Sequence, residues 1–368
     1  MVEVFRAIVA FAFVLGILVF IHELGHYLAA RWRGVHVDVF SIGFGKPLYR
    51  WYDKVGTEWR ICPIPLGGYV KPHGFQDPDE ATQEEKSTWL PGKTFHEKPV
   101  LDRSIVIAAG PFFNFMLAIV LFAGVFFFSG KIVVQPVAMK IFSNSSADKA
   151  GLQVHDTIVQ IGSIVRPDVE QLIQFSKTHP NLATHVIVDR NRTQHSLPIV
   201  IGSIAQNGRL IGQLGIELEG KPVAGSPMTF MNSMTNAVKE TWDVSIKTLG
   251  GLKEMIMGKR SAKELGGPLR IAQLSGAVAQ GGISKLIYFM GILSINLGLI
   301  NLFPIPVLDG GRLVFYALEA IMRKPVPKKI QTWGFQLGFA LILFLFIFST
   351  YNDVLQLGVI RWLTGHSS

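Results

Sequence analysis

The chain of 368 residues has a single cysteine, Cys62, which excludes an intramolecular disulfide. Charge is scarce as well: Asp, Glu, Lys and Arg make up 17% of the sequence, against roughly a quarter in soluble globular proteins, which argues against an ordinary cytosolic enzyme. No phosphate-binding loop, internal repeat or low-complexity tract is present. A net charge of +9 invites a nucleic-acid partner, but it sits in a chain with 26 phenylalanines and long apolar runs, so no nucleic-acid partner is expected. What the chain has in excess is hydrophobic residues, 49% of the total, and the better reading is a membrane protein whose positive charges face a cytoplasm.

Stretches near Val4–Ala30, Ile105–Phe128, Leu286–Phe303 and Trp333–Phe348 are apolar enough to span or nearly span a bilayer, which takes about 20 helical residues. The first is not read as a cleaved signal peptide: Glu3 offsets Arg6, and cleavage after Ala30 would discard the most distinctive residues of the chain. Arg31, Arg33, Lys46, Arg50 and Lys54 follow the first stretch, and Arg312, Arg323, Lys324, Lys328 and Lys329 lie between the third and fourth. The positive-inside rule puts both loops in the cytoplasm, and both termini and the long Gly130–Lys285 segment outside. Cys62 falls on the reducing side and is expected to be a half-buried small residue.

Inside the first stretch stands His22-Glu23-Leu24-Gly25-His26, the HExxH pattern. On a helix, positions four apart share a face, so both imidazoles reach one zinc ion, while Glu23, about 100° around the axis, addresses the water activated there. Ionisable groups this close together in a membrane helix are costly, which favours a functional site over two packing histidines and a snorkelling glutamate. A catalytic zinc wants a third protein ligand. The metzincin extension would need glycine at 29 and histidine at 32, where Ala29 and Trp32 stand, so the ligand comes from elsewhere.

The strongest candidate is Asp309, in Asn301-Leu302-Phe303-Pro304-Ile305-Pro306-Val307-Leu308-Asp309-Gly310-Gly311. Pro304 and Pro306 break a membrane helix, and the chain beyond can turn a carboxylate back toward the bundle, which is tolerated at depth where the backbone lines a site. The first and third spans both end inside, so His22, His26 and Asp309 can meet in one leaflet, roughly 8–14 Å inside the cytoplasmic boundary at about 1.5 Å per residue. The alternative for Asp309 is a turn residue before a Gly-Gly pair. Asn114, alone in the otherwise apolar second span, either orients a neighbour or hydrogen-bonds helix to helix.

HExxH in the first span with N-x-x-P-x-P-x-x-D-G in a later one resembles the site-2 protease family of intramembrane zinc metalloproteases, and within it the bacterial RseP group, over nearly the whole chain. Supporting matches are Gly43-Phe44-Gly45, Ile64-Pro65-Leu66-Gly67-Gly68-Tyr69-Val70-Lys71 and Ala109-Gly110-Pro111-Phe112-Phe113-Asn114-Phe115. The resemblance implies one zinc ion per chain on His22, His26 and Asp309, Glu23 as general base and acid, and Asn301 holding the substrate backbone. It further implies a bacterial inner membrane and single-span membrane proteins as substrates, such as trimmed anti-sigma factors of the sigma-E stress response and remnant signal peptides.

A peptide bond in a helix is hydrogen-bonded and sterically wrapped, so cleavage requires an extended substrate. Residues 35–71 offer a device for that. His36-Val37-Asp38-Val39-Phe40 and Trp59-Arg60-Ile61-Cys62-Pro63-Ile64 read as strands, with Gly43, Gly45, Gly67 and Gly68 giving turns or close backbone approach. An exposed edge here binds an unwound segment by strand addition, the role the resemblance implies for a membrane-dipping β-loop. A small solvent-facing hairpin is the alternative.

Beyond Lys131, the run Ser145-Ser146-Ala147-Asp148-Lys149-Ala150-Gly151-Leu152-Gln153-Val154-His155-Asp156-Thr157-Ile158 resembles the S-x-A-x-x-A-G-L-x-x-G-D-x-I signature of PDZ domains in bacterial envelope proteases, with His155 in place of the usual glycine. A helix near Asp168–Thr178, strands near His185–Asp189 and Ser196–Ile201, and Gly212-Gln213-Leu214-Gly215 as carboxylate-binding loop continue the pattern. There is room for one such domain where the RseP group commonly has two. Residues 226–261 read as a helix with an apolar stripe of Phe230, Met234, Val238 and Trp242, which packs on the PDZ-like domain or lies on the membrane surface.

The expected architecture is a polytopic α-helical membrane protein with about four transmembrane helices, a small membrane-associated β-loop region and one extracytoplasmic PDZ-like α+β domain. Its parts are 1–130 with HExxH and the β-loop, 131–222 with the PDZ-like domain, an amphipathic helical linker over 223–285, and 286–368 with the last two spans. The expected function is intramembrane zinc endopeptidase, with the lipid bilayer and single-span membrane proteins as partners. A membrane zinc carrier has no need of a PDZ domain, and an intact catalytic set argues against a silent PDZ adaptor.

Overall fold

A computed structural model of the chain describes residues 2–75, 81–206, 209–224, 227–259, 261 and 266–356. Parts of the expected linker (225–226, 260 and 262–265) and of the last expected segment (357–368) lie outside the described residues. The elements begin with α1 (Val2–Trp32), β1 (Val37–Phe44), β2 (Tyr49–Tyr52), β3 (Glu58–Ile61), β4 (Ile64–Pro72), α2 (Gln83–Ser87) and α3 (Val100–Ser129). There follow β5 (Ile132–Ile141), α4 (Ser146–Lys149), β6 (Thr157–Ile161), β7 (Ile164–Val165), α5 (Val169–Thr178), β8 (Ala183–Arg190), β9 (Thr193–Val200), β10 (Gly202–Gln206), β11 (Arg209–Gln213) and β12 (Ile216–Ala224). The chain continues through α6 (Phe230–Ile256), α7 (Pro268–Gln280), α8 (Ile283–Leu302), α9 (Asp309–Met322) and α10 (Lys328–Gln356). They divide into two compact units, Met1–Val125 with Thr229–Ser368, and Phe126–Met228.

Phe5–Trp32, α3, α8 and Lys328–Leu355 are long and apolar enough to cross a membrane. The expected strands belong to one four-stranded sheet of order β2-β3-β1-β4. They are not partners in a hairpin: β1 runs parallel to β3 and antiparallel to β4. Pro63, which has no N–H to give a ladder, stands between β3 and β4. The sheet is seated on α1 through aromatic rings. Phe20 and Tyr27 meet Phe40 edge-on at 5.8 and 5.7 Å, and Phe40 stacks on Trp59 at 4.3 Å. Tyr27 Oη and Trp59 Nε1 both donate to Asp53 Oδ2, at 2.9 and 3.1 Å. The β-sheet is thereby pinned beside the HExxH turn.

α6 packs on α8, with Tyr288 Oη donating to Glu240 Oε1 at 2.7 Å and Thr248 Oγ1 to Asn296 Oδ1 at 3.1 Å. Its buried ridge is Ser233, Ala237, Thr241 and Ser245, one helix position away from the expected stripe, of which Phe230, Val238 and Trp242 are exposed. Each hydroxyl of that ridge returns a hydrogen bond to the carbonyl four residues back, so these residues pack as small, satisfied side chains. The N-terminus of α7 has no cap of its own, and Asp353 of α10 supplies one: its Oδ1 accepts from the Gly267 N–H and its Oδ2 from the Arg270 N–H, both at 2.9 Å.

The second unit is a sheet of order β12-β5-β6-β8-β9, with β7 beside β6 and a separate β10-β11 pair. Ile158, Ile161, Leu172, Val186, Val188 and Ile201 form its core. Asp168 and Gln171 close a capping box at the start of α5. The turn where the resembled signature usually has glycine forms with His155 at φ +73°, a conformation costing a side-chain-bearing residue roughly 1–2 kcal/mol. It is held by the His155 N–H donating to the Ala138 carbonyl at 2.7 Å and the Asp156 N–H to that of Gln153 at 3.1 Å. Gln213 ends β11, Leu214 is buried, and Gly215, at φ +74°, leads into β12. Gly212 packs against the Ser176 carbonyl at the end of α5.

Candidate metal centre

The four-residue spacing in α1 brings the two imidazoles together, with His22 Nε2 and His26 Nε2 3.2 Å apart. The third corner comes from the proline turn. Phe303, ahead of Pro304, is extended (φ −63°, ψ 146°) and ends α8, as residues before proline prefer. After Pro306 the chain restarts as α9 with Asp309 in its first turn, where the helix dipole favours a carboxylate. Asp309 Oδ2 lies 3.2 Å from His22 Nε2 and 3.4 Å from His26 Nε2.

These three atoms fit a zinc ion. Ligand bonds of about 2.0–2.1 Å in a tetrahedron separate donor atoms by about 3.3 Å. Asp309 Oδ2 is also buried and accepts no hydrogen bond, an arrangement costly for a carboxylate with no cation beside it. His22, His26 and Asp309 are positioned to bind one metal ion.

The outer faces of both imidazoles are gripped by one stripe of α3. His26 Nδ1 donates to the Val106 carbonyl at 2.8 Å, leaving its Nε2 lone pair for the shared centre. One turn on, Gly110 gives room: a Cβ there would stand 2.3 Å from His26 Nε2. A turn further, the buried Asn114 amide lies 3.0 Å from His22 Nδ1. The amide orientation in which Oδ1, otherwise without a partner, accepts from Nδ1–H likewise leaves His22 Nε2 bare.

His22, Glu23, His26, Asn301, Gly68 and Asp309 line one cavity of about 380 Å³, together with Tyr69, Val70, Phe75 and Arg312. Gly68 lies so close under Glu23 that a Cβ would reach 3.1 Å from Glu23 Cγ. The other expected glycines do not line it: Gly43 and Gly45 (φ +87° and +104°) stand at the end of β1, and Gly67 (φ +157°) packs under Phe44. Pro306 packs against Gly334 and Gly338 of α10, holding the turn that carries Asp309. Sequence reasoning missed Val106, Gly110, Phe75 and Arg312. Of the α3 stripe only Asn114 left a signal, as a lone amide in an otherwise apolar span.

The model of peptidase family M50 matches residues 10–345. An inferred zinc metalloprotease of Rhizobium meliloti is 37% identical over 370 residues, covering 96% of each chain. Another from Rickettsia conorii is 36% identical, covering 95% of this chain and 99% of its own. The metalloprotease MmpA of Caulobacter vibrioides is 33% identical, covering 97% and 98%. The chain belongs to peptidase family M50, the site-2 protease family of zinc metalloendopeptidases.

Proposed function

We propose that this zinc metalloprotease cleaves membrane-spanning segments of single-span proteins, within the membrane and near its cytoplasmic face. The observation that carries the reading is the donor triangle of His22, His26 and Asp309, two corners of which sit in a helix long and apolar enough to cross a bilayer. A zinc ion on these residues supplies Lewis acidity toward the scissile carbonyl and the attacking water. Glu23 takes the proton from that water and delivers it to the departing amine nitrogen. Asn301, on the cavity wall at the end of α8, holds the substrate backbone by its amide.

β4 supports a route for the substrate. Among the described residues it pairs only with β1, so it is an edge strand, and Gly68, Tyr69 and Val70 on it line the cavity beside Glu23. An unwound segment adds to that edge and is fixed in extended form next to the metal ligands. Lys and Arg placement supports a cytoplasmic site, with the second unit and both termini outside. The sheet with α5 and the 212–215 loop supports a PDZ-like domain that gates access or binds peptide. Resemblance favours trimmed anti-sigma factors and remnant signal peptides as substrates in a bacterial inner membrane.

Purified protein in detergent, incubated with a single-span model substrate, should cut within the apolar segment. Asp309→Ala should lose zinc and cleavage together. Full zinc content in that variant would show that the ligand set is misassigned.

A further inference from the structure

Arg312 stands three residues after Asp309, so both side chains leave the same side of α9, and both line the cavity. Its guanidinium carbon lies 4.4 Å from the Phe75 ring centre and 5.7 Å from that of Phe335. These contacts use the cation's charge but none of its N–H donors. Arg33, Arg60, Arg103 and Arg190 each have a carboxylate partner, on Asp102, Glu58, Glu319 and Asp156. Among the described residues, the Arg312 side chain has no ion pair and no hydrogen bond. The carboxylates of Glu23 and Asp309 balance a divalent ion between them, which leaves Arg312 as the excess positive charge of the cavity. A planar donor fork held beside a hydrolytic site suits a carboxylate, which it can bind bidentately.

We propose that Arg312 is the receptor for the carboxylate that hydrolysis creates on the N-terminal fragment of the substrate. Water adds across the C–N bond, one fragment gains a carboxyl group and the other an amine, and the carboxyl proton passes to the amine side. Before cleavage an apolar membrane segment carries no anion, so Arg312 discriminates product from substrate. It draws the new carboxylate away from the metal ligands and opposes religation. The proposal rests on the protease reading above.

The test uses the full chain in maltoside micelles, zinc-loaded and carrying Glu23→Gln so that nothing turns over. The probe is a fluorescent apolar peptide, prepared with a free C-terminal carboxylate and as its carboxamide. The acid should bind at least about tenfold tighter than the amide, as expected for a charge-assisted pair. Adding Arg312→Gln should abolish most of that preference and leave carboxamide affinity and zinc content unchanged. Arg312→Lys, which keeps the charge without the planar fork, should be intermediate, and decides the matter if the Gln variant does not fold. An acid-to-amide ratio undiminished in these variants overturns the proposal. Wild-type cleavage and zinc content are measured in parallel; if the wild type fails to cut a membrane segment, the protease reading falls, and the proposal with it.

Discussion

Gly110 of α3 lies against the two metal-facing imidazoles of α1, so near that a Cβ would come within 2.3 Å of His26 Nε2 and 2.8 Å of His22 Cε1. Gly110→Ala is therefore expected to push an imidazole off the donor triangle. Alanine is the better helix former, so helix content should hold while zinc affinity falls by at least about tenfold. Zinc per chain at a fixed free-zinc concentration measures this, and unchanged occupancy would contradict the packing argument.

Asn114 fixes the other imidazole. Asn114→Ala should weaken zinc binding by about 10–100-fold, the usual effect of removing a hydrogen-bond partner behind a metal-bound histidine. Asn114→Asp, which still accepts from His22 Nδ1–H, should recover much of the loss. A variant pair with identical zinc affinities would assign Asn114 to helix packing alone.

The tie between α7 and α10 depends on Asp353, which is buried and caps the start of α7. Asp353→Ala leaves two N–H donors without their acceptor and should cost about 1–2 kcal/mol. Faster amide exchange confined to the first turn of α7 is the expected readout in micelles. Exchange unaltered there would mean that other contacts carry the joint.

In the second unit, Asp156 is fully buried. Burial alone would raise its carboxyl, but Arg190 donates to both its oxygens, at 2.8 and 2.7 Å, and the Gln153 N–H donates at 2.8 Å, which together hold it below the ordinary carboxylate range. A group depressed in the folded state lends stability that is complete above its unfolded value, about 3.9, and is lost as pH falls through the folded value. Exchange protection of β6 and β8 should therefore fall as pH drops below about 4, and less so in Asp156→Asn. Equal pH dependence in both proteins would remove the pair as the cause.

HExxH was legible because helix periodicity alone puts two imidazoles on one face, and Asp309 because paired prolines end α8 and hand α9 a carboxylate in its first turn. The grip from α3 was not, since a carbonyl of Val106 and the bare Cα of Gly110 leave no chemical signature in one sequence. The apolar stripe of α6 allowed packing on the PDZ-like domain or a place on the membrane surface, which an apolar pattern alone does not tell apart. What α6 buries is a ridge of small side chains, Ser233, Ala237, Thr241 and Ser245, whose hydroxyls are satisfied within the helix. His155 shows the converse, a turn that forms without the usual glycine because flanking backbone hydrogen bonds hold it.

The most direct measurement pairs cleavage with zinc content in wild type and Glu23→Gln. Glu23 lines the cavity but is not a corner of the donor triangle, so the variant should keep one zinc ion per chain while cleavage of a single-span substrate falls by at least about a hundredfold. Cleavage undiminished in the zinc-loaded variant would contradict the account.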